Sequence, residues 1–72
     1  MIRLPSLSID LLYRIYACSV LPWSEILKDG DRTERAARHL VHLGLIHVWP
    51  HHRDITLTAA GRSAVYRLRG WE

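Results

Sequence analysis

The chain has 72 residues, 49% hydrophobic and 8% aromatic, with ten Lys or Arg, seven Asp or Glu and five His, for a formal net charge of +3. That length holds a single domain, residues 1–72, with a simple core, because a chain so short buries only about 60% of its unfolded surface, and the composition is globular rather than disordered. The lone Cys18 excludes an internal disulfide and fits a reducing cytoplasm, and no apolar run is long enough to span a bilayer.

Residues 1–7 read as an extended arm without the basic and apolar regions of a signal peptide, and Pro5 discourages a helix through it. Ser8 is a candidate N-cap. Ile9, Leu12, Tyr13, Tyr16 and Val20 follow near i, i+3, i+4, i+7 spacing, which predicts an amphipathic helix over 9–19. Leu21-Pro22 breaks it. Pro22 suits the first position of a short second helix whose apolar face is Trp23, Ile26 and Leu27, and which ends at the Asp29-Gly30 turn signal.

Asp31 and Glu34 have the spacing of a capping box at the start of a third helix, 31–43. Gly44 stands where a left-handed residue closes such a helix. The pattern then turns to alternation. Leu45–Trp49 and Asp54–Thr58 read as two strands of a hairpin (45–58) joined by the loop Pro50-His51-His52-Arg53. Thr58 can cap a fourth helix over 59–68, with Ala60, Ala64, Val65 and Leu68 facing in and Gly61 weakening its first turn. Residues 69–72 are a tail. The fold class is mainly α with a small β-hairpin (α+β), in the order helix, helix, helix, strand, strand, helix. That is the winged helix-turn-helix arrangement, with the hairpin as wing.

Two segments carry a family resemblance. Leu40-Val41-His42-Leu43-Gly44-Leu45-Ile46 resembles the L-x-x-L-G-L-I close of a recognition helix in winged-helix transcription regulators. Ile55-Thr56-Leu57-Thr58-Ala59-Ala60-Gly61-Arg62 resembles the strand-to-helix junction of the multiple-antibiotic-resistance-regulator (MarR) type. The resemblance covers roughly residues 9–68 and implies a minimal, single-domain DNA-binding regulator. The long flanking dimerisation helices of full-type members and a ligand-sensing domain have no counterpart here. The bare architecture is similar to small regulators of phages and other mobile elements.

On a helical wheel, Ala36, Leu40 and Leu43 fall on one side of the third helix, flanked by Ala37 and Val41. Arg35, Arg38 and His42 lie opposite, with Arg32 and His39 on the shoulder. The resemblance implies that this helix enters the major groove of double-stranded DNA with its N-terminal residues nearest the bases. Arg32, Thr33 and Arg35 are then the candidate base readers, and Arg38, His39 and His42 the candidates for phosphate. A solvated charged helix face would look the same, and Glu34 and Asp31 stand four residues before Arg38 and Arg35, in pairing distance. His51, His52 and Arg53 make a basic wing tip that can reach the minor groove or the backbone, or form a plain polar turn.

No cofactor is implied. A structural zinc site wants four ligands, commonly including Cys, and Cys18 lies among apolar neighbours that suggest a core position. Catalysis has no candidate: the chain lacks a glycine-rich phosphate loop and a nucleophile elbow. Trp23 reads as core, whereas Trp49 and Trp71 are open either to lid the core or to anchor a partner. Three readings follow. The first is sequence-specific DNA binding by a small cytoplasmic regulator, bound weakly unless two copies pair as a homodimer. The rival is a winged-helix interaction module, such as a small phage-type protein that docks on a host protein and inhibits it in an anti-defence or anti-CRISPR-like role. The third is binding to double-stranded RNA or left-handed DNA.

Overall fold

The computed structural model describes residues 4–70. In chain order the elements are α1 (Ser6–Cys18), β1 (Leu21–Pro22), α2 (Trp23–Lys28), α3 (Asp31–His42), β2 (Ile46–Val48), β3 (Asp54–Leu57) and α4 (Ala59–Leu68). The chain is therefore mainly helical with a small antiparallel sheet in the order β1-β3-β2. Among the described residues no helix is long and apolar enough to cross a membrane.

The first helix starts earlier than Ser8. Pro5 occupies its N-cap position, where a missing N–H costs nothing, and Ile9 N–H donates to the Pro5 carbonyl at 3.1 Å. Of the expected arm, Ser6 and Leu7 are helical and Met1–Arg3 lie outside the described residues. Ser8 is buried one turn into the helix, on a stripe with Leu11, Leu12 and Ile15. This stripe is rotated from the expected one, and α1 ends at Cys18, so Val20 lies beyond the helix; both Val20 and Cys18 are exposed. Cys18 is a surface residue, not a core one: it lies in line with Leu11, seven residues before it, but as the last residue of α1 it is exposed. Trp71 and Glu72 of the expected tail lie outside the described residues.

Leu21-Pro22 does more than break the helix. It forms the third strand, with Leu21 opposite Ile55 and Pro22 opposite Asp54. A strand of two residues leaves no periodicity to read, and proline is tolerated because the strand lies at an edge. The Trp23 N–H continues the contact, donating to the Arg53 carbonyl at 2.9 Å. The hairpin pairs Ile46 with Leu57, His47 with Thr56 and Val48 with Ile55. Trp49 N–H closes it onto the Asp54 carbonyl at 2.9 Å. The core draws on every helix and strand and centres on Leu12, Ile15, Ile26, Leu40, Ile55 and Val65.

The end of α3 and the start of α4 are joined tightly. Leu45 N–H donates to the Leu40 carbonyl and Gly44 N–H to the Val41 carbonyl, both at 3.0 Å, with Gly44 at φ +77°. This is a Schellman closure. Thr58 caps α4 by accepting from Gly61 N–H at 3.1 Å, while its hydroxyl donates to the Gly44 carbonyl at 2.6 Å. Its own N–H donates to the Leu45 carbonyl at 3.2 Å. Gly61, which weakens the helix by propensity, is buried against that same carbonyl: a Cβ there would collide with the Leu45 oxygen. Val65 faces in as expected, but Ala60 and Leu68 are exposed, because the tight packing at Gly61 turns the helix to bury the Gly61–Val65 side.

Two substitutions separate close packing from backbone strain. Gly61→Ala should cost about 3 kcal/mol, the upper range for overpacking, because the obstacle is backbone. Gly44→Ala, with open space around it, should cost only the left-handed penalty of about 1–2 kcal/mol. Urea unfolding of the two variants checks the order.

Candidate nucleic-acid interface

The outward surface of α3 follows from which face the core takes. Thr33, Ala37 and Leu40 are buried, so the core face is turned toward Thr33 relative to the expected Ala36–Leu40–Leu43 side. Thr33 is 6% exposed and is removed from the candidate base readers, because its side chain is spent on the core. Val41, expected beside the core, is 41% exposed. Arg32, Arg35, Arg38, His39 and His42 are all exposed, as are His51, His52 and Arg53 at the hairpin tip.

The start of α3 is built differently from a capping box. Gly30 holds the N-cap position without a side-chain bond, and Asp31 is the first helical residue. Glu34 N–H donates to the Gly30 carbonyl at 3.1 Å, and the Glu34 carboxylate turns toward Arg38. Arg38 donates Nε and Nη2 to one carboxylate oxygen, at 3.0 and 2.7 Å. The same guanidinium lies over the Trp23 ring, 5.8 Å from its centroid. Arg38 is thus held between a carboxylate and an indole, while no ion pair among the described residues involves Arg32 or Arg35. Arg14 on α1 donates to Asp29 in the turn before α3, and that bond raises the guanidinium pKa above its ordinary value.

The two basic regions meet. A cleft of about 440 Å³ between α3 and the hairpin is lined by Arg38 and Val41 from α3, Trp23 from α2, and Val48, Trp49, Pro50 and Arg53 from the hairpin. Its lining includes two arginines and no carboxylate. Trp49 is 52% exposed, yet its ring is fixed: Nε1–H donates to Thr56 Oγ1 at 3.0 Å, and His47 meets it edge-on with centroids 4.5 Å apart. Arg53 adopts φ +51°, a left-handed conformation uncommon for a side chain of this size. Sequence reasoning placed Arg38 and Arg53 as candidates separately but did not bring them to one cleft with Trp23, Val41 and Trp49. The exposed Trp49-Pro50 pair was the one signal for it.

Among the described residues, no group of three or more His, Cys, Asp or Glu side chains is placed to hold a metal ion. No protein-family model, characterised protein or solved structure matches the chain.

The Arg38–Glu34 pair is exposed on the arginine side, so it holds position more than it stabilises. Glu34→Gln should lower stability by no more than about 0.5 kcal/mol, the scale of an exposed i,i+4 pair. The measurement is the shift in urea midpoint, and a loss several times larger would mean that the pair carries the turn between α2 and α3.

Proposed function

We propose that this chain is a winged helix-turn-helix domain of MarR-like type that binds double-stranded DNA and acts as a small cytoplasmic transcriptional regulator. In this reading α2 and α3 form the helix-turn-helix around Gly30, and the β2–β3 hairpin is the wing. Arg32 and Arg35, exposed and near the N-terminus of α3, are the base readers. Arg38, His39 and His42 grip the backbone, and His51, His52 and Arg53 reach the phosphates or the minor groove beside it. The observation that carries the reading is that the basic face of α3 and the basic hairpin tip open onto a shared cleft, through Arg38 and Arg53. A net charge of +3 is small, and of the ten Lys and Arg only Arg32, Arg35, Arg38 and Arg53 lie on α3 and the hairpin, so the reading rests on the placement of these four and not on the sum.

The exposure of Trp49 beside Val41 in that cleft favours a second reading, an interaction module for a host protein partner. Salt separates the two. Anisotropy of a labelled random-sequence duplex should show binding whose affinity falls as salt rises, with a log–log slope of about −0.9 per neutralised phosphate. The Arg32/Arg35/Arg38→Ala variant should lose it. Arg35→Ala alone should blunt discrimination between duplex sequences, by about 1–3 kcal/mol at the base it reads, whereas Arg53→Ala should weaken binding to all sequences alike. No binding by the wild type at low salt would overturn the DNA reading in favour of the protein partner.

A further inference from the structure

We propose that the free edge of β2 is an interface between two copies of this chain, paired antiparallel about a two-fold axis at His47. The sheet then runs through both copies in the order β1-β3-β2-β2′-β3′-β1′. The inference goes beyond the DNA-binding reading and does not depend on it.

The hydrogen-bond pattern identifies which backbone groups face that edge. Trp49 N–H donates to the Asp54 carbonyl, and Thr58 N–H to the Leu45 carbonyl. In an antiparallel pair such bonds recur at every second residue, so Leu45, His47 and Trp49 bond toward β3. Ile46 and Val48 point their N–H and C=O groups the other way, and β2 is the last strand on that side of the sheet. Two outward residues with one between them complement themselves. Ile46 of one copy meets Val48 of the other, and each such pair exchanges both its bonds. That register sets His47 against the partner's His47 and carries the exposed Trp49 opposite the partner's Leu45.

Charge and the opposite edge both favour a second copy as the occupant. Edge strands are ordinarily guarded against pairing by charge, Lys above all, or by proline. Residues 39–52, between Arg38 and Arg53, contain no Lys, Arg, Asp or Glu. Two copies of a chain with net charge +3 can therefore approach along β2 without setting formal charges against each other. The other edge of the sheet is guarded. Leu21 pairs with Ile55 and Trp23 N–H donates to the Arg53 carbonyl, so Pro22 is the outward residue of β1 and has no N–H to offer. One open edge and one blocked edge allow a closed pair, and not a growing sheet.

The test uses the whole chain without DNA, so its failure leaves the reading of α3 untouched. In sedimentation velocity the wild-type mass should double as concentration rises. H47K and H47E each set like charges directly opposite one another across the axis, which disfavours pairing. Each alone should stay a monomer, and the two mixed in equal amounts should regain the doubled mass. His47 is exposed and its ladder bonds are made by backbone, so both variants should keep the wild-type unfolding midpoint. In a C18S background, H47C should form a covalent dimer under a mild disulfide oxidant. Residues opposed in this way have Cα atoms about 4.5 Å apart, inside the disulfide range of about 4.4–6.8 Å. H52C, exposed at the hairpin tip, should not cross-link. Cross-linking of H47C no faster than that of H52C, with a wild type that stays monomeric at every concentration, would overturn the proposal. So would a dimer indifferent to H47K and H47E, which would put the interface elsewhere, or a mass that grows past the dimer, which would mean that β1 pairs as well.

Discussion

The contact between the Gly44-Leu45 backbone and the Thr58–Gly61 turn sets the geometry of the rest. Four chain segments change direction there: α3 ends, β2 begins, β3 ends and α4 begins. Thr58 serves both sides, capping α4 at Gly61 and donating its hydroxyl to Gly44. Gly61 is required because the Leu45 carbonyl occupies the space a Cβ would need. A domain of this length holds only about 4–11 kcal/mol of stability, so a misfit at this junction would consume much of it. The junction also fixes the hairpin relative to α3, and with it the width of the cleft.

Given that junction, the division of labour on α3 follows from packing. Thr33, Ala37 and Leu40 are taken by the core, which leaves the arginines and histidines no place but the outside. Of the two acidic residues of the first turn, Glu34 is paired with one of these arginines. Glu34 is engaged with Arg38 and holds it over Trp23, and Asp31 leaves Arg32 and Arg35 without an ion pair among the described residues. A second hollow has a different character. There Tyr16 and Tyr66 meet edge-on beside an exposed Val20, with Arg62 as the cation lining that hollow. Arg62, Arg67 and Arg69, on and just after α4, match the three arginines of α3 in number, so the positive charge is modest in sum and not confined to α3.

Much of this was legible in the sequence where the signals are local. The Asp29-Gly30 turn, the Gly44 closure, the hairpin and the Thr58 cap each announce themselves through one or two residues whose backbone chemistry is restrictive. What was not legible depends on tertiary contact. The strand Leu21-Pro22 exists only because Ile55 and Asp54 lie opposite it. The faces of α1 and α3 are each displaced from the wheel reading, because apolar and small polar residues on a shoulder can go either way until the neighbouring helix decides. That ambiguity sent Thr33 to the solvent side and Cys18 to the core, and both are reversed. Arg32, Arg35, Arg38, His39 and His42 were less exposed to the error, since charged and long polar side chains stay outside for either choice of face. The cleft itself joins residues from three elements, and no spacing along the chain encodes it.

The most direct measurement is a map of backbone amide shifts on adding a short random-sequence DNA duplex to the isotopically labelled chain. The account predicts that the perturbed amides cluster on the outward face of α3, at Arg32, Arg35, Arg38, His39 and His42, and in the hairpin at Trp49 and at His51 through Asp54. The amides around Tyr16, Val20 and Tyr66, at the second hollow, should stay still. Perturbations centred on that second hollow, or none anywhere at low salt, would contradict it.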